Sequence, residues 1–232
     1  MTISILAFDA ETGRMGGAAA TGSLCVGGWV LRGDPESGMS ASQGTAPSTL
    51  WGEEVLTAMK TGASAAEAVA AVTGPDTGRA HRQLAALDPA GGTGVFTGTK
   101  SVGHAGEVEG QGLVVAGNML TGSEVIEAAA DGYSKAAHLP IAERLMEALN
   151  TAADAGGDAR GLRSAALLVV GRDMAPLNLR IDHSDDPLAA LSELYRLAQA
   201  DPYHGWTQVV PVQDDPFRAP EEPPTAVKAT RR

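Results

Sequence analysis

Thr2 follows the initiator methionine directly and heads the apolar run "TISILAFD". A threonine hydroxyl attacks a carbonyl only when a base takes its proton. Methionine removal proceeds where the second residue is small, and here it would give Thr2 a free α-amine on the carbon next to the one bearing the hydroxyl. Such an amine has a pKa of about 7.7–8.0, close to where a general base works best at neutral pH. Nucleophile and base would then belong to one residue. Attack on an amide would give an acyl-enzyme ester that water later hydrolyses, with an oxyanion donor contributing about 3 kcal/mol. The alternative is that Thr2 is simply a good strand former at a strand start. No competing nucleophile motif occurs: the chain has neither a G-x-S-x-G elbow nor an S-x-x-K pair.

Other residues could complete such a site. Ser4 has the side-chain parity of Thr2 and reads equally as a hydrogen-bond partner or as a small core polar residue. Thr21 ends the next apolar stretch and meets Thr2 if the two form a hairpin in simple register; otherwise it is an ordinary strand-end threonine. Asn118, in "VVAGNML", could offer its amide to an oxyanion or tie down its own turn. Gln43 in "SASQG" has a similar case. "GGDARGLRS" gathers Asp158, Arg160 and Arg163 among glycines. Either guanidinium could grip a substrate carboxylate through two parallel hydrogen bonds, or the acid could pair with its own arginines on a surface loop.

Several features point away from other chemistries. The acidic cluster of "IDHSDDP" is explained by carboxylates favouring the N-terminus of the helix that follows Pro187, so no metal and no cofactor are expected. His104 reads as a loop residue, and Cys25, the single cysteine, as a small hydrophobe. "GTGVFTGTK" lacks phosphate-loop spacing. With 17 Lys and Arg against 28 Asp and Glu, the net charge is -11, which disfavours nucleic acid as a partner. The opening offers no signal-peptide pattern and no run reaches membrane-span length. A cytoplasmic address, a small-molecule substrate and no membrane are the expectations. An Ala-rich helical layer offers flat apolar surface for a homo-oligomer.

The elements that must position these groups follow from periodicity. "TISILAFD" is apolar on both parities, so its strand is buried on both faces. "AETG" turns, with Gly13 free to take positive φ, and "RMGGAAATG" returns. "GMSASQG" predicts a further strand. A helix follows from Ser48 as its cap, and another from Ser64, where Glu67 completes a capping box. "HRQLAALD", "GTGVFTGT" and "GLVVAGNML" predict strands. Helices are expected near 123–133 and 140–151, then a hairpin from "SAALLVVGRD" and "LNLRIDHS", then a helix after Pro187. Residues 1–200 form one domain; 201–232, proline-rich and charged, read as a disordered tail. Grouped antiparallel strands and paired helices predict an α+β fold, a four-layer αββα sandwich with two facing sheets and helices outside.

"TISILAFDAETGRMGGAAATGS" resembles the start of the catalytic chain of N-terminal-nucleophile hydrolases of the glycosylasparaginase kind. Over roughly residues 1–200, through "GHAGE", "GNMLTG", "GGDARGLRSAALLVV" and "LRIDHSDDP", the chain more closely resembles a bacterial and archaeal family described as a domain of unknown function, whose members have that hydrolase-like fold. It departs from the family at "TGSLCVGGWV" and "GMSASQGTAPS", where the pocket wall is expected. The resemblance implies site roles for Asn118 and for one arginine, Arg160 first. The leading function is an amidohydrolase acting through Thr2 on a small anionic amide or cyclic amide. Its rivals are a catalytically silent binding or assembly module on the same sandwich, and an enzyme whose nucleophile is water oriented by Asn118 and Asp158.

Overall fold

The computed structural model describes residues 2–157 and 160–220. The chain runs β1 (Thr2–Asp9), β2 (Arg14–Thr21), α1 (Val26–Trp29), β3 (Leu31–Asp34), β4 (Gly38–Gly44), α2 (Trp51–Lys60) and α3 (Ala65–Thr73). It continues through β5 (Arg82–Leu87), β6 (Thr93–Thr97), β7 (His104–Gly110), β8 (Leu113–Leu120), α4 (Glu124–Lys135) and α5 (Ile141–Asp154). Then come β9 (Ser164–Val170), β10 (Leu177–Ile181), α6 (Pro187–Ala198) and α7 (Tyr203–Thr207). Every strand pairing is antiparallel. One sheet has the order β10-β9-β2-β1-β8-β7 and the other β3-β4-β5-β6.

Strand parity sorts the side chains into three apolar layers. On β1, Ile3, Ile5 and Ala7 point away from the second sheet and pack with Leu145 and Leu149 of α5 and Val125 and Ala129 of α4. Leu6 takes the other parity and meets Met39 and Ala41 of β4 and Leu87 of β5, between the sheets. Leu84 and Ala86 of β5 face outward onto Trp51 and Val55 of α2 and Ala68 and Val69 of α3. The result is the αββα sandwich expected of the sequence, an α+β fold with helices on both outer surfaces. Tyr195 of α6 donates its hydroxyl to Glu143 of α5 at 3.2 Å; burial and that carboxylate push its phenol up to about 12.

Local signals explain most element ends. Ser64 and Glu67 make both halves of the capping box at the start of α3. Asp186 caps α6 by accepting from the Ala189 N–H at 3.1 Å. Ser48 corrects one expectation: α2 starts at Trp51, after Leu50, and the Ser48 hydroxyl accepts from the N–H groups of both Leu50 and Trp51. Those are two of the donors that a helix start leaves without partners. Two strands and two helices, α1 and α7, are additions to the expected set. β3 and β7 are sheet edges, short or charged enough ("LRGD", "HAGEVEG") to lack an apolar period, as edges exposed to water generally are. The short α1 packs against β9 and β10.

Residues 201–220 also depart from expectation. Their composition predicts a disordered tail, yet α7 forms there and Asp214 pairs with Arg172, side chain to side chain at 2.8 Å and backbone to backbone at 3.0 Å. Residues 221–232, the rest of that expected tail, lie outside the described residues.

Gly17 of β2 sets how closely the sheets approach. A Cβ there would come within 2.9 Å of Leu6 Cδ2 and 3.2 Å of both Leu31 Cδ2 and Met39 Cε. Overpacking of this kind costs about 1–3 kcal/mol. Gly17→Val is therefore expected to lower the urea midpoint by that amount of stability with an unchanged m value, measured by circular dichroism.

Candidate functional site

At one end of the sandwich the inter-sheet layer changes from apolar to polar. On β1 the inward parity runs Leu6, Ser4, Thr2, and the ladder places Thr2 opposite Thr21 of β2 and Asn118 of β8. Thr21 in turn stands opposite Ser164 of β9. One transverse row, Ser164–Thr21–Thr2–Asn118, therefore crosses four strands on a single face. The facing sheet supplies its own row, because Gln43 of β4 pairs with Gln83 of β5, and Gln83 with Thr97 of β6. These three have the parity that faces the first sheet.

Side-chain amides join the two rows. Gln83 is fully buried and its Oε1 accepts from Gln43 Nε2 at 2.7 Å and from Asn118 Nδ2 at 3.2 Å. Its Nε2 donates to Thr97 Oγ1 at 2.8 Å and to the carbonyls of Gly117 and Gly106 at 3.0 and 3.1 Å. Gln43 Nε2 also reaches the carbonyl of Ala116, at 3.2 Å. These bonds settle which way each amide points. They leave Gln43 Oε1 buried with no hydrogen-bond partner among the described residues, an arrangement that is costly unless something else supplies a donor.

Thr2 Oγ1 lies 3.2 Å from Thr21 Oγ1. Both line a cavity of about 470 Å³ whose wall includes Gln43, Val26, Val30 and Thr45, with Leu24 and Trp29 at its rim. Leu24 and Trp29 are more than half exposed, at 57 % and 53 %. Among the described residues that line this cavity there is no Asp, Glu, His, Lys or Arg. The backbone is unusual on both sides. The two non-glycine residues with positive φ among the described residues are Cys25, at 60°, just before α1, and Met119, at 58°, just after Asn118. Left-handed backbone at such residues is uncommon and gathers at functional sites.

The residues singled out from sequence divide accordingly. Thr2, Thr21 and Gln43 come together at the cavity. Asn118 stands beside Thr2 on the neighbouring strand, is buried, and is not among the residues that line the cavity. Ser4 is buried one step inward, with its hydroxyl 3.5 Å from the Ala116 carbonyl, and is not among the residues that line the cavity. The arginines sit elsewhere. Arg163 donates its backbone N–H to the carbonyl of Thr21 at 2.8 Å, but its guanidinium pairs with Asp185 at 2.7 Å outside the cavity. Arg160 is exposed and is not among the cavity residues. Asp158 lies outside the described residues.

Sequence reasoning missed Gln83, Thr97, Ser164 and Trp29. The signal was parity: Gln83 shares the parity of Ala85 and Leu87, and Gln43 that of Ala41 and Met39, so two glutamines were directed into the core. Among the described residues no group of three His, Cys, Asp or Glu side chains is placed to hold a metal ion. In the "IDHSDDP" stretch Asp182 pairs with Arg180, Asp185 with Arg163, and Asp186 caps its helix. No helix among the described residues is long and apolar enough to cross a membrane.

An αββα sandwich with a polar cleft at one end of its two sheets is thus the class to which the fold and site belong. The chain is a member of the family of unknown function DUF1028, whose model matches residues 2–191. It is similar to the crystal structure of protein SPO2555 from Silicibacter pomeroyi, of the same family, with 48 % identity and a TM-score of 0.92 over 97 % of this chain and 98 % of that one. No curated protein matches the chain.

Gln83→Leu removes the hub that accepts from two side chains and donates to a hydroxyl and two carbonyls. A buried polar group left without its partner costs about 1–3 kcal/mol. The substitution is expected to cost more than about 2 kcal/mol in urea denaturation, whereas Arg163→Ala, which breaks an exposed ion pair, should cost less than about 1 kcal/mol.

Proposed function

We propose that the protein is an N-terminal-nucleophile hydrolase that cleaves a small amide or cyclic amide through Thr2. The observation that carries this reading is the position of the Thr2 hydroxyl, at the end of the inter-sheet row and on the wall of a cavity. The αββα layering, with a central strand leading straight to that hydroxyl, supports it. So does the wall itself, where no other residue among the described ones carries both a nucleophile and a base.

The steps follow from the groups present once Met1 is removed. The Thr2 hydroxyl attacks the amide carbonyl and its proton passes to the Thr2 α-amine. The carbonyl oxygen becomes an oxyanion. Asn118 carries two amide hydrogens, one of which is engaged by Gln83; the other is the donor this reading assigns to the oxyanion. Thr21, 3.2 Å from the nucleophile, orients the hydroxyl. Collapse of the intermediate expels the amine, which takes the proton from the α-ammonium and leaves an ester on Thr2. Water then attacks the ester, gives its proton to the α-amine, and releases the acid with the threonine restored. No cofactor enters these steps.

Intact-mass spectrometry of protein from its native host is expected to show loss of Met1, and an electrophilic ester probe to add one acyl group to Thr2. Thr2→Ala should lower turnover of a responsive amide by at least about a thousandfold, with Thr2→Ser retaining part of it. An α-amine that must be uncharged to act as base makes kcat/KM rise with pH through about 7.7–8.0 and level off above it. Retention of Met1, or full turnover by Thr2→Ala, overturns the reading.

A further inference from the structure

We infer that the Thr2 cavity selects an uncharged, planar cyclic amide or ureide that presents an N–H group, and that Gln43 Oε1 is the acceptor that reads this N–H. The inference rests on the amidohydrolase reading for what happens to the bound molecule, and on three separate observations for what binds.

The first is the acceptor. Gln43 is 1 % exposed, and both bonds made by its amide nitrogen point into the network with Gln83 and Ala116. The carbonyl oxygen of the same amide is buried with no partner among the described residues, and Gln43 is one of the residues that line the cavity. A lone acceptor fixed from behind calls for a donor, and an N–H on the ligand supplies one. A site built to receive such a hydrogen bond rejects analogues that lack it far more strongly than a purely apolar pocket rejects a change in size.

The second is charge. The described wall has threonines, serines, a glutamine and apolar groups, and no ionised side chain. A carboxylate entering it would lose hydration without gaining a counter-charge, a loss that burial makes severe. A chain of net charge -11 repels anions at longer range as well. The Thr2 α-amine freed by removal of Met1 carries a positive charge below about 7.7–8.0, but it must be neutral to act as base, so a carboxylate that held it protonated would oppose the attack. The arginines that suggested an anionic substrate lie outside this cavity.

The third is shape. Trp29 and Leu24 leave much of their apolar surface exposed at the rim, which suits a flat apolar substituent extending from the amide ring. Indole faces stack on planar groups without requiring charge.

The test uses three matched probes and the full chain freed of Met1: 5-phenylhydantoin, its 1,3-dimethyl derivative, which has no N–H, and its 4-carboxyphenyl analogue, which is anionic. Binding is measured by isothermal titration and saturation-transfer NMR. The parent probe is expected to bind at least about tenfold more tightly than either analogue. Gln43→Met should bring the parent down to the affinity of the dimethyl derivative and leave that derivative unchanged. Trp29→Ala, at an exposed position, should weaken both alike. The ranking of the probes on the wild-type protein decides the matter even if Gln43→Met does not fold. Equal or tighter binding of the carboxylate, equal binding of the dimethyl derivative, or no binding of any probe overturns the inference. Failure of the catalytic reading looks different: the ranking holds, but Thr2 is neither acylated nor needed for turnover. Turnover through Thr2 with a preference for the anionic analogue overturns this inference alone.

Discussion

A primary amide in an apolar core must find partners for its hydrogens and its oxygen, and in this protein that requirement governs the end of the sandwich. Gln43 and Gln83 come from one sheet and Asn118 from the other, and all three are buried. Their mutual bonds hold only if the two sheets keep one relative placement, since the acceptors include backbone carbonyls of β7 and β8 as well as each other. Hydrophobic packing between the sheets is non-directional and would tolerate small slides. Hydrogen bonds near 3 Å would not. The amide cluster thus turns two stacked sheets into one frame with a defined mouth.

That frame explains why the polar end can exist beside so complete an apolar layer. From Met39 and Leu6 outward to Gln43 the inward-facing positions are buried, and Thr2 beyond them is half-buried, so the hydroxyls and amides there bond chiefly to one another and to the backbone. Thr97 passes the chain of bonds to Glu107 at the exposed edge, and Ser164 joins the loop after β2 by donating to the Ser23 carbonyl and accepting from the Val26 N–H. The two left-handed residues, Cys25 in the loop before α1 and Met119 near the end of β8, lie where these bonds end.

Much of this was legible in the residues. The doubly apolar "TISILAFD" announced a central strand, the capping box at Ser64 announced its helix, and the brevity of "AETG" required the hairpin that sets Thr2 beside Thr21. The edges were not legible, because β3 and β7 need only one partner and tolerate charge on the open side. Nor was the amide hub: a single Gln in "HRQLAALD" becomes conspicuous only once Ala85 and Leu87 are known to face inward. The arginines of "GGDARGLRS" illustrate the opposite error. Arginine next to glycine is compatible with a ligand site, but the backbone of Arg163 continues the ladder toward Thr21 while its side chain turns to Asp185, and a linear chain of letters does not record that turn.

β1 is held by a strand on each side from Thr2 onward, and both of its faces are covered. Backbone N–H groups in such a strand exchange with deuterium only when the molecule opens as a whole, whereas chain ends ordinarily exchange at once. The hydroxyl at the cavity is therefore mounted on a strand that is paired on both sides. A guest would meet a wall already in place, with no segment of β1 left to order around it.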